Sequence, residues 1–318
     1  MTEQLALIAD IGGTHARFAL VRPGAPPADT VVLRCGDYRG PAEAAQGYLA
    51  TVAPGQAVRR AAFAVASPVT GERIDMTNSP WSFTVAEVGK ALGLERLEVV
   101  NDFTAVALSL RHLAGDDLVR LGGGEGVAGA ALAVLGPGTG LGVSGLVPAA
   151  GRWSPLSTEG GHVTLAAADE REAAVIAWLR HRFGHVSAER VLSGPGLVSL
   201  YEAVAAVLGR QPVYNTPDAI TQRAVDNTCP VCRETLDTFF AFLGTVAGDL
   251  ALTLGARGGV FLAGGILPRV RGALEASNFR SRFEAKGRFQ AYLAPVPTWL
   301  VVHPQPAFAG LAGLVSED

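Results

Sequence analysis

Asp102 is the residue of this sequence whose type and position best suit catalysis by proton transfer. It stands in the stretch Asn101-Asp102-Phe-Thr, directly after the apolar run Leu97 to Val100, which has the pattern of a buried strand. A carboxylate at a strand end can accept the proton of a substrate hydroxyl. An aspartate between a strand and a helix is also a common helix N-cap, and the local spacing alone favours the cap. The two hypotheses are compatible, because a cap would hold the side chain where a base must be held.

Two glycine-rich turns could bind phosphate. They are Asp10-Ile-Gly12-Gly13-Thr14 and Gly136-Pro-Gly138-Thr139-Gly140, and each lies between two apolar strands. Glycine lets the backbone approach phosphate oxygens and point N–H groups at them, which suits a chain whose only lysines are Lys90 and Lys286. Either turn alone could be a plain tight hairpin. The occurrence of two favours nucleotide binding and predicts two related α/β halves.

Other nucleotide folds fit the sequence poorly. No G-x-x-x-x-G-K-[ST] motif occurs, since Ala91 follows Lys90, and Asp102-Phe103-Thr104 lacks the glycine of the D-F-G motif. The stretch Gly140-Leu-Gly142-Val-Ser-Gly145 formally matches a dinucleotide fingerprint. The residues after it continue as a strand where that fold needs a helix, so the pattern favours a hairpin.

Four further polar residues are chemically suited to hydrogen bonding with a polar ligand. Glu159, His162, Glu189 and Asn101 combine carboxylate acceptors with groups that both donate and accept. Taken singly, His162 could be a structural histidine and Glu189 a solvated residue. Glu159 and His162 have the i, i+3 spacing of helical metal ligands, but the glycine pair between them argues against a helix there.

Helices and strands alternate along the chain. The Thr84-Val-Ala-Glu87 capping box predicts a short helix that ends near Gly93, and a helix is predicted to open after Phe103. Further helices are predicted at about 169–183, 195–208, 217–227, 230–254 and 268–276, with strands at 97–100, 260–263 and 298–302. This order predicts the α/β class, with ligands beyond the carboxyl ends of the strands.

The composition is that of an ordinary globular protein and favours small-molecule partners. The chain has 318 residues, 49% of them hydrophobic, and a net charge of -3 without a basic stripe, which argues against nucleic acid and anionic membranes as partners. The short apolar start fits neither a secretory signal nor a membrane anchor, so a cytoplasmic location is predicted. Three cysteines fit a reduced compartment, and Cys229-Pro-Val-Cys232 is interpreted as the first turn of a helix and not as a metal or redox site.

Taken together, the motifs resemble bacterial glucokinase, within the superfamily of hexokinase, actin and the heat-shock chaperones. The resemblance rests on motifs that occur in this order: Asp10-x-Gly-Gly-Thr14-x-x-Arg17, Met76-Thr-Asn78, Asn101-Asp102-Phe-Thr-Ala, Gly136-x-Gly-Thr-Gly-Leu-Gly142, Glu159-Gly-Gly-His162, Ser187-Ala-Glu189-Arg-Val-Leu-Ser193-Gly-Pro-Gly, Ala263-Gly264-Gly265 and Lys286-Gly-Arg288. It implies two actin-like, ribonuclease H-like α/β domains around a central cleft. A small N-terminal domain would comprise 1–112 plus a returning C-terminal helix in 302–318, and a large domain would comprise 113–301.

The resemblance also implies roles for individual residues. The activity would be phosphorylation of glucose at its 6-hydroxyl by ATP, the entry to glycolysis, with Asp102 as general base. Sugar binding would involve Asn78, Asn101, Asp102, Glu159, His162 and Glu189. ATP would be bound by Asp10, Gly12, Gly13 and Thr14 in the first phosphate loop, by Gly138, Thr139 and Gly140 in the second, and by Gly264 and Gly265 near the adenosine. No protein metal site is expected, because Mg²⁺ would be held mainly by the ATP phosphates with Asp10 nearby, and a homodimer is expected.

The chain departs from the family pattern at one position and lacks one motif of a related group. His15 stands where family members commonly carry asparagine, which adds a titratable donor to the first phosphate loop. The cysteine-rich zinc motif of the related group of repressors and sugar kinases is missing. The alternative functions are a sugar-sensing regulator, which would need an added DNA-binding segment, and a chaperone-like ATPase, which would not need Glu159, His162 and Glu189.

Overall fold

The computed structural model describes residues 5–316. Its strands are β1 (Ala6–Ile11), β2 (His15–Val21), β3 (Ala28–Arg34), β4 (Arg60–Val65), β5 (Arg73–Asp75), β6 (Ser82–Thr84), β7 (Arg96–Asn101), β8 (Leu118–Gly122), β9 (Leu132–Pro137), β10 (Leu141–Ala149), β11 (Arg152–Ser157), β12 (Gly259–Leu262) and β13 (Thr298–Val301). Its α-helices are α1 (Pro41–Val52), α2 (Val85–Leu92), α3 (Asp102–Ser109), α4 (Glu170–Phe183), α5 (Gly194–Val207), α6 (Pro217–Val225), α7 (Pro230–Leu254), α8 (Arg271–Glu275), α9 (Phe279–Glu284), α10 (Gln290–Leu293) and α11 (Pro306–Ser316).

The chain divides into two compact α/β units. The first contains the described residues up to Gly115 and those from His303 onward, and the second is Asp116–Val302. Each unit has its own buried apolar cluster, around Phe18, Tyr48 and Phe63 in the first and around Phe239, Phe240 and Phe242 in the second.

The sheet of the first unit has the strand order β3-β2-β1-β4-β7. Its strands β1, β4 and β7 are parallel, and β4 is apolar and buried over most of its length because it lies in the interior of the sheet. The register pairs Asp10 with Ala64 and Val65 with Asn101. The carboxyl ends of the three strands therefore meet at one edge of the sheet.

The C-terminal helix α11 packs against α3, the helix that begins at Asp102. A Cβ atom added at Gly310 of α11 would lie 2.0 Å from the carbonyl oxygen of Ala105 in α3. Only glycine permits this close approach of two helix backbones. This packing accounts for the grouping of the C-terminal segment with the first unit.

The sheet of the second unit has the order β11-β10-β9-β12-β13-β8, with β9, β12 and β13 parallel. Its core helix is α7. This helix alone, among the described residues, is long and apolar enough to span a membrane, and 67% of its most apolar window is buried within the structure.

Most predicted elements are confirmed, and one is corrected. Thr84 and Glu87 form the capping box of α2, and the helix ends at Gly93, whose φ of 66° is left-handed. Cys229 caps α7 and Pro230 occupies its first turn. The helix predicted at 268–276 is wrong as one element, because it consists of a 3₁₀ turn, Leu267–Val270, followed by α8. Pro268, which cannot donate a backbone hydrogen bond, lies in that turn.

Candidate active site

The first glycine turn joins β1 to β2 and is pinned by backbone hydrogen bonds. The N–H of Gly12 donates to the carbonyl of His15 at 2.9 Å, and the N–H of Cys35 donates to the carbonyl of Thr14 at 2.9 Å. Thr14 and His15 are exposed. A Cβ atom at Gly13 would lie 2.6 Å from the carbonyl oxygen of Asn78. The turn and the loop that carries Asn78 are therefore in direct contact, and Gly13 is required by that contact.

Asp10 is the acidic residue of this turn. Its carboxylate lies opposite Arg17 across the β1–β2 pair, with Oδ2 3.2 Å from Nη1, and it keeps 27% of its side-chain exposure. Burial raises the pKa of Asp10 above its ordinary value, and the charge of Arg17 opposes this shift. A cation beside Asp10 would favour its ionised form in the same way as Arg17 does.

The N-cap of α3 is Asn101 and not Asp102, which corrects the cap hypothesis from the sequence. The side chain of Asn101 accepts hydrogen bonds from the N–H groups of Phe103 at 2.9 Å and Thr104 at 3.4 Å. Asp102 is the first residue of the helix, and its Oδ1 accepts from the Phe103 N–H at 2.9 Å. Asn101 thus satisfies the helix terminus, and Asp102 is only partly buried at the same strand edge as Asp10.

Ser67 is a residue of this edge that the sequence reasoning missed. Its buried hydroxyl accepts from the N–H of Thr77 at 2.7 Å and lies 3.1 Å from the Thr77 hydroxyl. Its carbonyl accepts from Asn101 Nδ2 at 3.3 Å. Ser67 therefore links Asn101 to the loop that carries Asn78. Its position just after an apolar strand, as for Asp10 and Asn101, was the signal that could have identified it.

The second glycine turn lies between β9 and β10, which are antiparallel, so the dinucleotide fingerprint is a hairpin as expected. The N–H of Gly138 donates to the carbonyl of Gly140 at 2.8 Å, and the N–H of Gly194, the first residue of α5, donates to the carbonyl of Gly138 at 2.8 Å. Thr139 is exposed at the tip of the turn. The turn is thus hydrogen-bonded to the first residue of α5.

Gly264 and Gly265 follow β12, the strand beside β9. Gly264 has a left-handed φ of 87°, and a Cβ atom there would lie 2.4 Å from the carbonyl oxygen of Pro137. Gly265 is exposed, with no atom within 4 Å of its Cβ position. The two stretches predicted to bind phosphate and adenosine in the second unit are therefore neighbours.

The three predicted sugar residues of the second unit come together. Nε2 of His162 lies 3.8 Å from Oε2 of Glu159, and its Nδ1 lies 3.9 Å from Oε1 of Glu189. Glu159 and His162 flank the glycine pair in the 3₁₀ turn Gly160–His162, where an α-helix was not expected. Within residues 5–316, no group of three or more His, Cys, Asp or Glu side chains is arranged to hold a metal ion.

Each unit thus gathers its own share of the predicted residues. In the first unit these are Asp10, Gly12, Gly13, Thr14, Asn78, Asn101 and Asp102, joined by the missed Ser67. In the second unit they are Gly138, Thr139, Gly140, Gly264, Gly265, Glu159, His162 and Glu189. A strand edge with a carboxylate and a glycine turn, as in the first unit, suits transfer of a phosphoryl group to a hydroxyl, which needs positioning and charge stabilisation more than covalent chemistry.

The structure is similar to solved structures of sugar kinases. The chain superimposes on a glucokinase crystal structure from an Antarctic psychrotroph with a TM-score of 0.90 and 39% identity, over 98% of both chains. This is the two-unit, actin-like α/β fold of sugar kinases.

Similarity of the amino-acid sequence to known proteins identifies the family. The family model described as Glucokinase matches residues 7–318. A glucokinase of Paramagnetospirillum magneticum is 63% identical over 99% of this chain and 98% of its own length, and one of Aromatoleum aromaticum is 51% identical over 96% and 93%. The chain belongs to the glucokinase family, and it is accordingly an enzyme, a transferase of the kinase type.

Proposed function

We propose that this protein transfers the γ-phosphoryl group of ATP to the 6-hydroxyl of D-glucose, giving glucose 6-phosphate and ADP, with Asp102 as general base. The observation that carries the proposal is that Asn101, and not Asp102, is the N-cap of α3. Because Asn101 caps α3, Asp102 is not needed as the cap, and its partly buried carboxylate lies at the strand edge where we propose that the substrate hydroxyl binds.

The role of Asp102 follows from its position in the first turn of α3. A helix N-terminus is a favourable position for a negatively charged side chain, and Asp102 lies in that first turn. The hydroxyl proton passes to Asp102 as the bond from oxygen to the γ-phosphorus forms and the bond to the ADP oxygen breaks. The carboxylate chiefly orients the hydroxyl, since the transition state of phosphoryl transfer is loose.

We propose that ATP binds through the two glycine turns. The exposed backbone at Gly12, Gly13 and Thr14, and that from Gly138 to Gly140, can approach phosphate oxygens closely. Asp10 supplies the oxygen donor that fits Mg²⁺ held mainly by ATP, and bound Mg²⁺ would neutralise phosphate charge. Gly264 and Gly265 would lie near the adenosine, because they are neighbours of the second turn.

Sugar recognition is assigned to residues that offer both acceptors and donors. Glu159, His162 and Glu189 form one such group in the second unit, and Asn101 and Asn78 add amides in the first. A site that hydrogen-bonds hydroxyls disfavours a substrate that lacks a matching hydroxyl, because the bound sugar would then cover polar groups that have no partner.

A coupled assay of ADP release over several sugars and phosphoryl donors tests the proposal. We expect release that depends on glucose and ATP, with slower turnover of other hexoses. ATP hydrolysis of equal rate without sugar would instead identify a chaperone-like ATPase. We further propose a cytoplasmic homodimer, which sedimentation analysis of the purified chain tests, since a monomer at micromolar concentration would contradict it.

A further inference from the structure

We propose that Gly140, a residue of the second phosphate turn, is a positioning residue for glucose, because its missing side chain leaves the space that the carboxylate of Glu189 occupies. The inference rests on the proposed function and deepens it. Gly140 was predicted to serve ATP by letting the backbone approach phosphate. The contact with Glu189 adds a second role for Gly140, in sugar binding.

The evidence is the surroundings of the glycines in this turn. A Cβ atom built on Gly140 would lie 2.5 Å from Oε2 of Glu189 and 3.3 Å from its Cδ, and no other atom is that close. Gly138, two residues earlier, has no atom within 4 Å of its Cβ position. Neither glycine needs a left-handed φ, so the two differ mainly in what a side chain would meet.

Glu189 is held on several sides. Its Oε2 accepts the N–H of Leu141 at 2.9 Å, and Leu141 directly follows the turn. Its backbone N–H donates to the Gly161 carbonyl at 2.9 Å, and its carbonyl accepts from the Ser193 hydroxyl at 2.8 Å. The backbone of Glu189 is therefore fixed, and its carboxylate is the part that can move.

A methyl group at position 140 would collide with the carboxylate of Glu189. The collision is with the end of a flexible side chain and not with backbone, so the fold can absorb it by turning the Glu189 side chain away. This movement breaks the bond to Leu141 and takes the carboxylate away from His162. The predicted outcome is a folded kinase with weakened sugar binding.

Calorimetric titration with glucose and, separately, with a non-hydrolysable ATP analogue tests the inference on the full chain. Gly140→Ala should weaken glucose binding roughly 10-fold or more, the loss expected when a hydrogen-bonding carboxylate is displaced, and should change affinity for the analogue less. Gly138→Ala is the matched control. Its methyl group would contact no protein atom but would lie at the turn where we propose that phosphate binds, so it should weaken binding of the analogue more than binding of glucose. A Gly140→Ala variant that affects only the analogue would overturn the inference.

A double-mutant cycle separates the effect of Glu189 from other effects. In a Glu189→Ala background the collision is gone, so adding Gly140→Ala should change glucose affinity by less than about 2-fold. A full additive loss would contradict the inference. If Gly140→Ala alone unfolds, the double variant should fold, since its obstacle is removed, and failure of both to fold also counts against it.

The proposed function is tested separately by wild-type turnover. If the wild-type chain shows no glucose-dependent ADP release, the proposed function fails. If it is active and the cycle is additive, only the inference about Gly140 fails.

Discussion

The two units hold their functional residues in different ways. In the first unit, Asp10, Ser67, Asn101 and Asp102 lie at or just after the carboxyl ends of three adjacent parallel strands, so the register of the sheet places them. In the second unit, Glu159 directly precedes the 3₁₀ turn that ends at His162, and Glu189 lies in a loop before α5. These residues are placed by hydrogen bonds between segments distant in sequence. A site at strand ends is therefore as stable as its sheet, whereas a site in turns depends on a few individual contacts.

The largest expected effect tests the scaffold of the second unit. Buried Glu172, in the first turn of α4, forms a bidentate ion pair with Arg282 of α9. Nη1 of Arg282 lies 2.6 Å from Oε1 of Glu172, and its Nη2 lies 3.0 Å from Oε2. Arg282→Met leaves this carboxylate without its cation and with only the Ala168 N–H, among the described residues, donating to it at 2.8 Å, so we expect a loss of about 3–5 kcal/mol in the free energy of unfolding. Chemical denaturation measures it. Arg233→Met, which removes an exposed pair with Asp237, is the control and should cost less than about 1 kcal/mol.

Glu189→Gln should affect sugar binding more than ATP binding. The amide keeps an oxygen for the Leu141 N–H but loses the negative charge that strengthens its bonds to sugar hydroxyls, so glucose affinity should fall roughly 10-fold. Calorimetry with glucose and with an ATP analogue measures both. Glu275→Gln, in an exposed pair on α8, should leave both affinities unchanged. Equal losses for the two ligands would place Glu189 outside the sugar site.

The smallest expected effect tests Ser67 in the first unit. Ser67→Ala removes the acceptor of the Thr77 N–H, which would loosen the loop that carries Asn78 and raise KM for glucose by a few-fold, about 1 kcal/mol, with little change in kcat. Ser67→Thr, which restores the hydroxyl, should recover much of the loss. Thr51→Ala deletes a hydroxyl bonded only within α1 and serves as control. A fall in kcat with unchanged KM would contradict this positioning role.

The sequence predicts much of this molecule because its local signals are strong. Apolar strands, glycine turns and the Thr84–Glu87 capping box each depend on neighbours a few residues away, and the structure contains all of them. The cap of α3 was misjudged because Asn101 and Asp102 are both good caps and only the backbone geometry decides between them. Ser67 and the contact of Gly140 with Glu189 were missed because both depend on segments brought together by folding.

The central claim is that Asp102 carries the proton transfer while other residues bind the sugar. Asp102→Asn keeps an oxygen for the Phe103 N–H and removes the base, so kcat should fall roughly 10²-fold or more while the glucose Kd stays within a few-fold. Steady-state turnover and calorimetric glucose titration on the same preparation measure both, with Asp37→Asn, an exposed carboxylate of the same unit, as control. Near-normal turnover of Asp102→Asn, or loss of glucose binding as large as the loss of kcat, would contradict the account.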